Sequence, residues 1–513
     1  MKNNQILAYI AMAIAPLALS DAFAELDTLA KYRLSETINS YQPSIAPVID
    51  YMNNILYFDR KFHPDNEGGL NDRDDIWFAR KTGESSWSES LPIRGGLNTK
   101  YSDSFISINL NSDKAIVYGQ MLKGIKRDGY SILKKVKGEW RFSDFLDIPN
   151  FYNDSIFYSA AMSANSNAFV FSAARAQGQG GLDLYVSFYD FKDKTWSEPL
   201  NLGININSSA DESSPFLAYD DRTLYFASNS RKSIGGYDLF MSRRIGDSWT
   251  EWSEPVPLGK SINTTKDDNN IYLNPLGDFG YCVSSDTTTK RQGIYFIEIP
   301  SNLRPKPYTI VRGKAFIKSD SAKTPALGKF VVTIKNRQNG SYIETTTNPE
   351  DASFAFVLPE NADYSIIASS ASPDYLFQVQ NISAKASNKV EIKEIEIVGK
   401  KIEKPQADSI EVYFEYDSSA LSEEYSESII QKIKKFKNFK IRIEISSYTD
   451  ENGGDKYNDK LSMERAKAVK KIVQKLFGEN IEFTINSYGK RKLKYSDTQK
   501  NRRAEIKIIP IAD

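Results

Sequence analysis

The sequence is poor in the residues that build metal and redox sites. Among 513 residues there is one cysteine, Cys282, and one histidine, His63. An intramolecular disulfide is impossible, and a Cys/His metal cluster cannot be assembled. The chain also lacks net charge, since 66 Lys and Arg balance 66 Asp and Glu. No overall field draws it to nucleic acid or to a membrane surface. Beyond the N-terminus no stretch approaches the ~20 apolar residues of a membrane-spanning helix. The G-x-S-x-G elbow and the phosphate-binding P-loop are absent, and no Ser/His/Asp set stands in motif form. No cofactor and no catalytic set are expected.

What is present points to a large β-rich protein. Length suggests three or four domains. The 29 tyrosines and 28 phenylalanines favour strands. Residues 1–24 read as a secretory signal: Lys2, an apolar run from Ile6 to Leu19, and the A-x-A site Ala22-Phe23-Ala24. No cysteine follows that site, so a lipid anchor there is not supported. The expectation is an exported mature chain without a transmembrane segment.

Residues 25–300 carry an internal repeat. One marker is an aliphatic residue, a short spacer and Asn-Ser/Thr: Leu34…Asn39-Ser40, Ile93…Asn98-Thr99, Leu202…Asn207-Ser208 and Leu258…Asn263-Thr264, with a degenerate copy near Asn153. A hydrophobic strand follows each marker, as at Ile55-Leu56-Tyr57-Phe58 and Leu224-Tyr225-Phe226. A second strand often follows a Gly-Gly turn, as at Gly236-Tyr237-Asp238-Leu239-Phe240. A tryptophan comes third: Trp87, Trp140, Trp196, and Trp249 or Trp252. Short strands in fixed order with one aromatic per unit read as propeller blades, the aromatics filling the space between them. The pattern resembles the TolB/WD-type β-propeller, here with about five blades. The competing reading is a tandem of β-sandwiches. The repeat phase predicts that an N-terminal strand from Thr28 to Leu34 completes the last blade and removes the open edge.

The acidic loop Asp65 to Asp75 lacks the order of ligands of a calcium-binding EF-hand and reads as a solvated loop. Asp183 and Asp238 recur at one repeat position, which favours turn formation over catalysis. Residues 301–404 open at Pro300, Pro305 and Pro307 and continue as short alternating strands, a small β-sandwich. This stretch resembles the carboxypeptidase-regulatory-like module.

In residues 405–513 strands and helices alternate, giving an α/β sandwich. Ser422 is placed to cap one helix, and Ser496 to cap a short one. Gly478 ends the helix before the third strand. Asp450 ends a strand and enters the Gly453-Gly454 turn. Ser462 reads as the N-cap of the following helix, which puts Arg465 in its first turn. A cation there opposes the helix dipole, so local rules alone do not select it, and this hints at function. An acid and a guanidinium facing one cleft suit a zwitterion. The bland alternative is a salt bridge between Asp450 and Arg465.

The run Phe414-Glu415-Tyr416-Asp417, Thr449-Asp450, Tyr457-Asn458-x-x-Leu461-Ser462-x-x-Arg465-Ala466, Tyr488-Gly489 and Asn501-Arg502-Arg503-Ala504-Glu505 resembles the OmpA-like C-terminal domain shared by OmpA, Pal and MotB proteins. The resemblance implies non-covalent binding of peptidoglycan through its diaminopimelate side chain. It assigns Asp450 and Arg465 as the paired site, with Thr449, Asn458, Asn501 and Arg502 around them. Ser447-Tyr448 and the basic stretch Lys490-Arg491-Lys492 depart from the family pattern. The order of propeller, regulatory-like module and OmpA-like domain is similar to PorE-type proteins of Bacteroidetes envelopes, associated with type IX secretion, but without their helical repeat region. The resulting expectation is a non-catalytic periplasmic protein. Its OmpA-like domain holds the cell wall, and its propeller docks outer-membrane or secretion-machinery proteins. A wall-tethered propeller glycosidase or peptidase is the alternative.

Overall fold

A computed structural model describes residues 31–119, 129–230, 232–286, 290–319, 322–370, 375–385, 387, 389–401, 406–437, 441–477 and 481–511. The expected signal segment 1–24, residues 402–405 of the second linker and the helix terminator Gly478 lie outside the described residues. The chain forms two compact units. One holds residues 1–317 and most of 321–398; the other holds 399–513 with the short pieces 318–320 and 370–376.

In the first unit five antiparallel sheets succeed one another along the chain. The first is built from Ser44–Asp50, Ile55–Arg60, Asp75–Arg80 and Leu91–Pro92. The hydrophobic strand that leads each repeat in sequence is thus the second of its sheet. A less regular strand runs ahead of it: Ser44–Asp50, Ser104–Ile108, Ala160–Met162, Glu212–Leu217 and Asp268–Leu273. These five first strands neighbour one another in a closed cycle, which is a propeller-like arrangement and not a tandem of two-layer sandwiches. Bulges interrupt four of them. Three bulges place a non-glycine residue at positive φ: Ala46 (49°), Ser214 (49°) and Asn270 (48°). A bulge of this kind breaks the two-residue alternation by which a strand is read.

The repeat markers have a mechanical explanation. The Asn98 side chain accepts from the Ile76 N–H (2.9 Å) and donates to its carbonyl (3.0 Å). Asn207 does the same at Leu184, Asn263 at Leu239 and Asn39 at Ile294. A side-chain amide stands in for a missing strand partner and satisfies both backbone groups of a buried residue. Asn153, in the degenerate copy, instead accepts from Ala174 (2.9 Å). Asn263→Ala should therefore cost about 1–3 kcal/mol, the penalty of leaving buried groups unpaired. Chemical denaturation of the purified protein would measure this.

Trp87, Trp140 and Trp249 reach across sheets, whereas the ring partners of Trp196, Phe169 and Tyr189, lie in its own sheet. Trp140 lies edge-on to Tyr57 of the preceding sheet, with ring centroids 6.4 Å apart, and donates to its hydroxyl (2.9 Å). Trp87 meets Tyr281 of the last sheet at 6.1 Å. The described part of the expected N-terminal strand lies where the phase put it, while Thr28 to Ala30 lie outside the described residues. Lys31–Arg33 pairs antiparallel with Gln292–Glu298, and Tyr32 stacks on Phe296 at 4.9 Å. Lys31 reaches Asp268 (3.0 Å) and Ser284 Oγ (2.6 Å), joining the first strand of the chain to the fifth sheet.

The acids of the repeats are buried turn formers. Asp238 accepts from the Ile234 N–H (2.8 Å) and Asp75 from that of Glu67 (2.7 Å). The Asp65–Asp75 loop departs from the solvated reading, because Asp72, Asp74 and Asp75 are buried. Among the described residues no group of three or more His, Cys, Asp or Glu is placed to hold a metal. Burial, with Asp75 and Asp72 nearby, pushes the Asp103 carboxyl up to about 8, and burial pushes Asp75 to about 7. An acid whose folded pKa is raised binds a proton that the unfolded chain has released. Its stabilisation is present in full below the unfolded value, ~3.9, and is lost as pH rises through the folded one. The denaturation midpoint of this unit should fall between pH 5 and pH 8. Asp103→Asn should flatten that slope, which a pH series of denaturant titrations would show.

The small sandwich belongs to the same unit. Its central strand Thr309–Lys318 pairs with Ser353–Leu358, and a second sheet carries Phe330–Asn336 and Tyr342–Thr346. Asn165, in a loop of the third sheet, both donates to the Val357 carbonyl and accepts from its N–H, each at 2.9 Å. Asn111 donates to the Ser353 carbonyl (3.2 Å). The open edge of Ser353–Leu358 is capped by side chains and not left as a template for another strand. Tyr308, Ile310 and Val357 join the core of the five-sheet body.

The second unit has one sheet in the order Asp408–Tyr413, Arg503–Pro510, Ile441–Tyr448, Glu482–Gly489, the last pair parallel. Helices Glu423–Lys434 and Asp455–Phe477 cover it, burying Ile429, Ile433, Ala466, Val469 and Val473 against Ile441, Ile443, Ile445, Ile506 and Ile508. Ser422 caps the first helix by accepting from Tyr425 N–H (3.2 Å). The short helix Thr498–Asn501 is capped by Asp497 rather than Ser496. Within the described residues no helix is long and apolar enough to cross a membrane.

Candidate ligand-binding site in the C-terminal unit

The longer helix begins at Asp455, so Ser462 and Arg465 lie in its interior. Ser462 is not the N-cap. The segment Asp455-Lys456-Tyr457-Asn458-Asp459-Lys460 has no apolar periodicity, yet it has no breaker either, and it extends the helix by two turns. Ser462 instead fixes the neighbouring strand: its hydroxyl meets Ser487 Oγ (2.5 Å) and accepts from the Gly489 N–H (3.1 Å). The helix-dipole reading of Arg465 falls with the cap.

Arg465 is fully buried. Its Nε donates to the Ser418 carbonyl (2.8 Å), Nη1 to that of Tyr448 (2.9 Å) and Nη2 to that of Glu415 (3.2 Å). The guanidinium also lies 4.9 Å from the Phe414 ring. One cation thus ties the loop after Asp408–Tyr413 to the end of Ile441–Tyr448. Burial lowers its pKa to about 10, with Asp450 the leading opposing charge. It stays a cation at neutral pH.

Asp450 is buried at the end of its strand. Its ion-pair partner is Arg502 (Nη1 to Oδ2, 3.4 Å), not Arg465, and its Oδ1 accepts from the Asn452 N–H (3.2 Å). Arg502 is anchored through Nε to the Phe414 carbonyl (3.0 Å). The side chains of Arg502 and Asp450 keep 12% and 7% of their surface exposed. Around them Glu451, Asn452, Gly453 and Gly454 are exposed, as are Tyr416 and Tyr457. Tyr457 donates to Asp417.

The remaining sequence-predicted residues serve this frame. Thr449 N–H donates to the Gly489 carbonyl (2.9 Å). Asn458 donates to the Asn452 carbonyl (2.8 Å), holding the Asp450–Gly454 loop. Asn501 braces another loop: it accepts from Lys494 and Tyr495 N–H (2.9 and 3.0 Å) and donates to the Tyr495 carbonyl (2.7 Å). It makes no contact with Asp450 or Arg465. The structure therefore gathers Asp450, Arg465 and Arg502 with Thr449 and Asn458, and leaves Asn501 in support of the strand that follows.

The departures from the family pattern pack together. Tyr448 stacks on Tyr488 (5.2 Å), with the Arg503 guanidinium 3.8 Å from its ring. The basic stretch is largely engaged with the protein. Lys490 pairs with Asp455 (3.1 Å), Arg491 with Asp459, Lys494 with Glu411 and Glu505, and Lys492 lies over Tyr488 (3.9 Å).

No curated protein matches the whole chain or part of it at significance. Among solved structures, the peptidoglycan-associated lipoprotein from Burkholderia pseudomallei is similar at 29% identity over 19% of this chain and 88% of its own, with a TM-score of 0.17. The periplasmic domain of Helicobacter pylori MotB is similar at 22% identity over 21% and 80%, TM-score 0.18. TolB from Acinetobacter baumannii is similar at 12% identity over 50% and 54%, TM-score 0.29. Residues 413–507, which contain every residue of the site just described, match the OmpA family. The C-terminal unit of this chain is thus built on an OmpA family domain.

Proposed function

We propose that this chain is a non-catalytic envelope protein that grips peptidoglycan and holds a protein complex beside it. The OmpA family domain takes the diaminopimelate side chain of the stem peptide, a zwitterion, at the Asp450 site. The carboxylate of Asp450 receives the ammonium, and Arg502, released from its long ion pair, receives the carboxylate by a charge-assisted bond. Arg465 and Asn458 hold the two loops that frame the site, and Thr449 fixes the strand end. The observation that carries this reading is the Asp450–Arg502 pair: the two groups stand 3.4 Å apart, nearly buried, between loops braced by buried side chains and beside the exposed stretch Glu451 to Gly454. A pair this long is readily exchanged for a ligand's own charges.

The five cyclic sheets are a five-bladed propeller, sealed by the N-terminal strand. With the small sandwich it forms a docking body for outer-membrane-associated proteins, such as those of a type IX secretion machine, and the whole acts in the periplasm. Sedimentation of the protein with diaminopimelate-type peptidoglycan tests the wall-binding half. Crosslinking in cells from the propeller loops, followed by identification of the captured protein, tests the docking half.

A further inference from the structure

A cleft of about 1250 Å³ lies within the first unit, between the first two sheets and the sandwich. Its walls include Tyr57, Phe78, Leu91, Trp140, Phe316 and Phe354. It is also lined by six cations and four carboxylates, and these do not cancel. Three carboxylates are already engaged: Glu139 with Arg141 (2.8 Å), Asp351 with Lys314 (3.6 Å) and Glu396 with Lys323 from outside the lining. Lys135 is drawn to Asp50 (3.5 Å). Arg80, Arg94 and Arg312 have no carboxylate partner among the described residues, and of the lining acids only Glu394 is without a cation. Free guanidinium groups beside aromatic and aliphatic walls are complementary to carboxylates alternating with apolar side chains.

We propose that this cleft binds an extended acidic peptide segment of a partner protein. The inference rests on the reading of the first unit as a docking body, and it names the site and the chemistry of the partner. Two features favour a polypeptide over a small anion. The cleft exceeds the ~300–1,000 Å³ of small-molecule pockets. The free arginines come from three separate elements, the end of Asp75–Arg80, the loop after Leu91–Pro92, and Thr309–Lys318. On the first sheet Pro92 removes a backbone donor from the outermost strand beside the cleft, which disfavours strand addition there.

The test is fluorescence anisotropy of the full chain with a labelled peptide of about twelve residues alternating glutamate with leucine and valine, roughly 40 Å when extended. The peptide should bind, more weakly at high salt, and its lysine-for-glutamate counterpart should not. An Arg80→Ala/Arg312→Ala variant with an unchanged melting temperature should bind about tenfold or more weakly. If Arg312→Ala does not fold, Arg80→Glu alone must weaken binding, since Arg80 is exposed. Equal affinity in the variants, or equal binding of the lysine peptide, overturns the proposal. So does capture of anionic phosphatidylglycerol vesicles in place of the peptide. If no peptide binds while propeller crosslinks in cells still trap a protein, the cleft assignment fails and the docking reading stands. Absence of such crosslinks overturns the docking reading itself.

Discussion

Replacing Lys31 by methionine is expected to destabilise the first unit by about 3–5 kcal/mol, the range for removing one partner of a buried ion pair. Asp268 has no exposed side-chain surface and Lys31 only 12%. The ammonium also donates to Ser284 Oγ and the Ile262 carbonyl. Methionine fills similar volume but leaves Asp268 as a buried charge supported by hydroxyl and amide donors from Thr264 and Ser284. Chemical denaturation at neutral pH would read the loss, and Asp268→Asn in the same background should restore much of it. Arg33, two residues along the same strand, is the control. Its pair with the exposed Glu36 (2.9 Å) is a surface contact, so Arg33→Met should cost about 1 kcal/mol or less. If the two substitutions cost the same, the seam is not held by the buried pair.

That seam was legible from repeat phase alone: strands counted around a cycle leave one position for the N-terminus to fill. The Asn-Ser/Thr markers were equally visible, although their reason was not, because each amide binds a strand residue 22 to 24 positions earlier, or 255 later for Asn39. The first strand of four of the five sheets was hidden by its bulge. The polar start of the helix Asp455–Phe477 was hidden for a different reason. Its first two turns cover the site and not the core, so they carry no apolar stripe to betray them. Asp450, Arg465 and Arg502 could be singled out by motif. Their pairing could not, since the acceptors of Arg465 lie 17, 47 and 50 residues away.

The pairing separates two effects that motif alone would merge. Arg465→Ala is expected to destabilise the second unit by on the order of 3–5 kcal/mol, because three carbonyls in or beside the core lose their donor together. Lost wall binding in that variant would then follow from the broken frame. Asp450→Ala removes a single 3.4 Å ion pair and one turn hydrogen bond, so it should cost about 1–3 kcal/mol of stability, less than loss of the three-carbonyl clamp. Its effect on peptidoglycan retention should be about tenfold or more, the worth of a charge-assisted bond to the ligand ammonium. Arg502→Ala should behave like Asp450→Ala, since the Phe414 carbonyl it also serves lies at the edge of the same site. Thermal melting and sedimentation with peptidoglycan on the three variants therefore place Arg465 apart from the other two. Retention of Asp450→Ala at the wild-type level would sink the site. An Arg465→Ala protein as stable as wild type, yet unable to bind, would show that the buried guanidinium reaches the ligand itself.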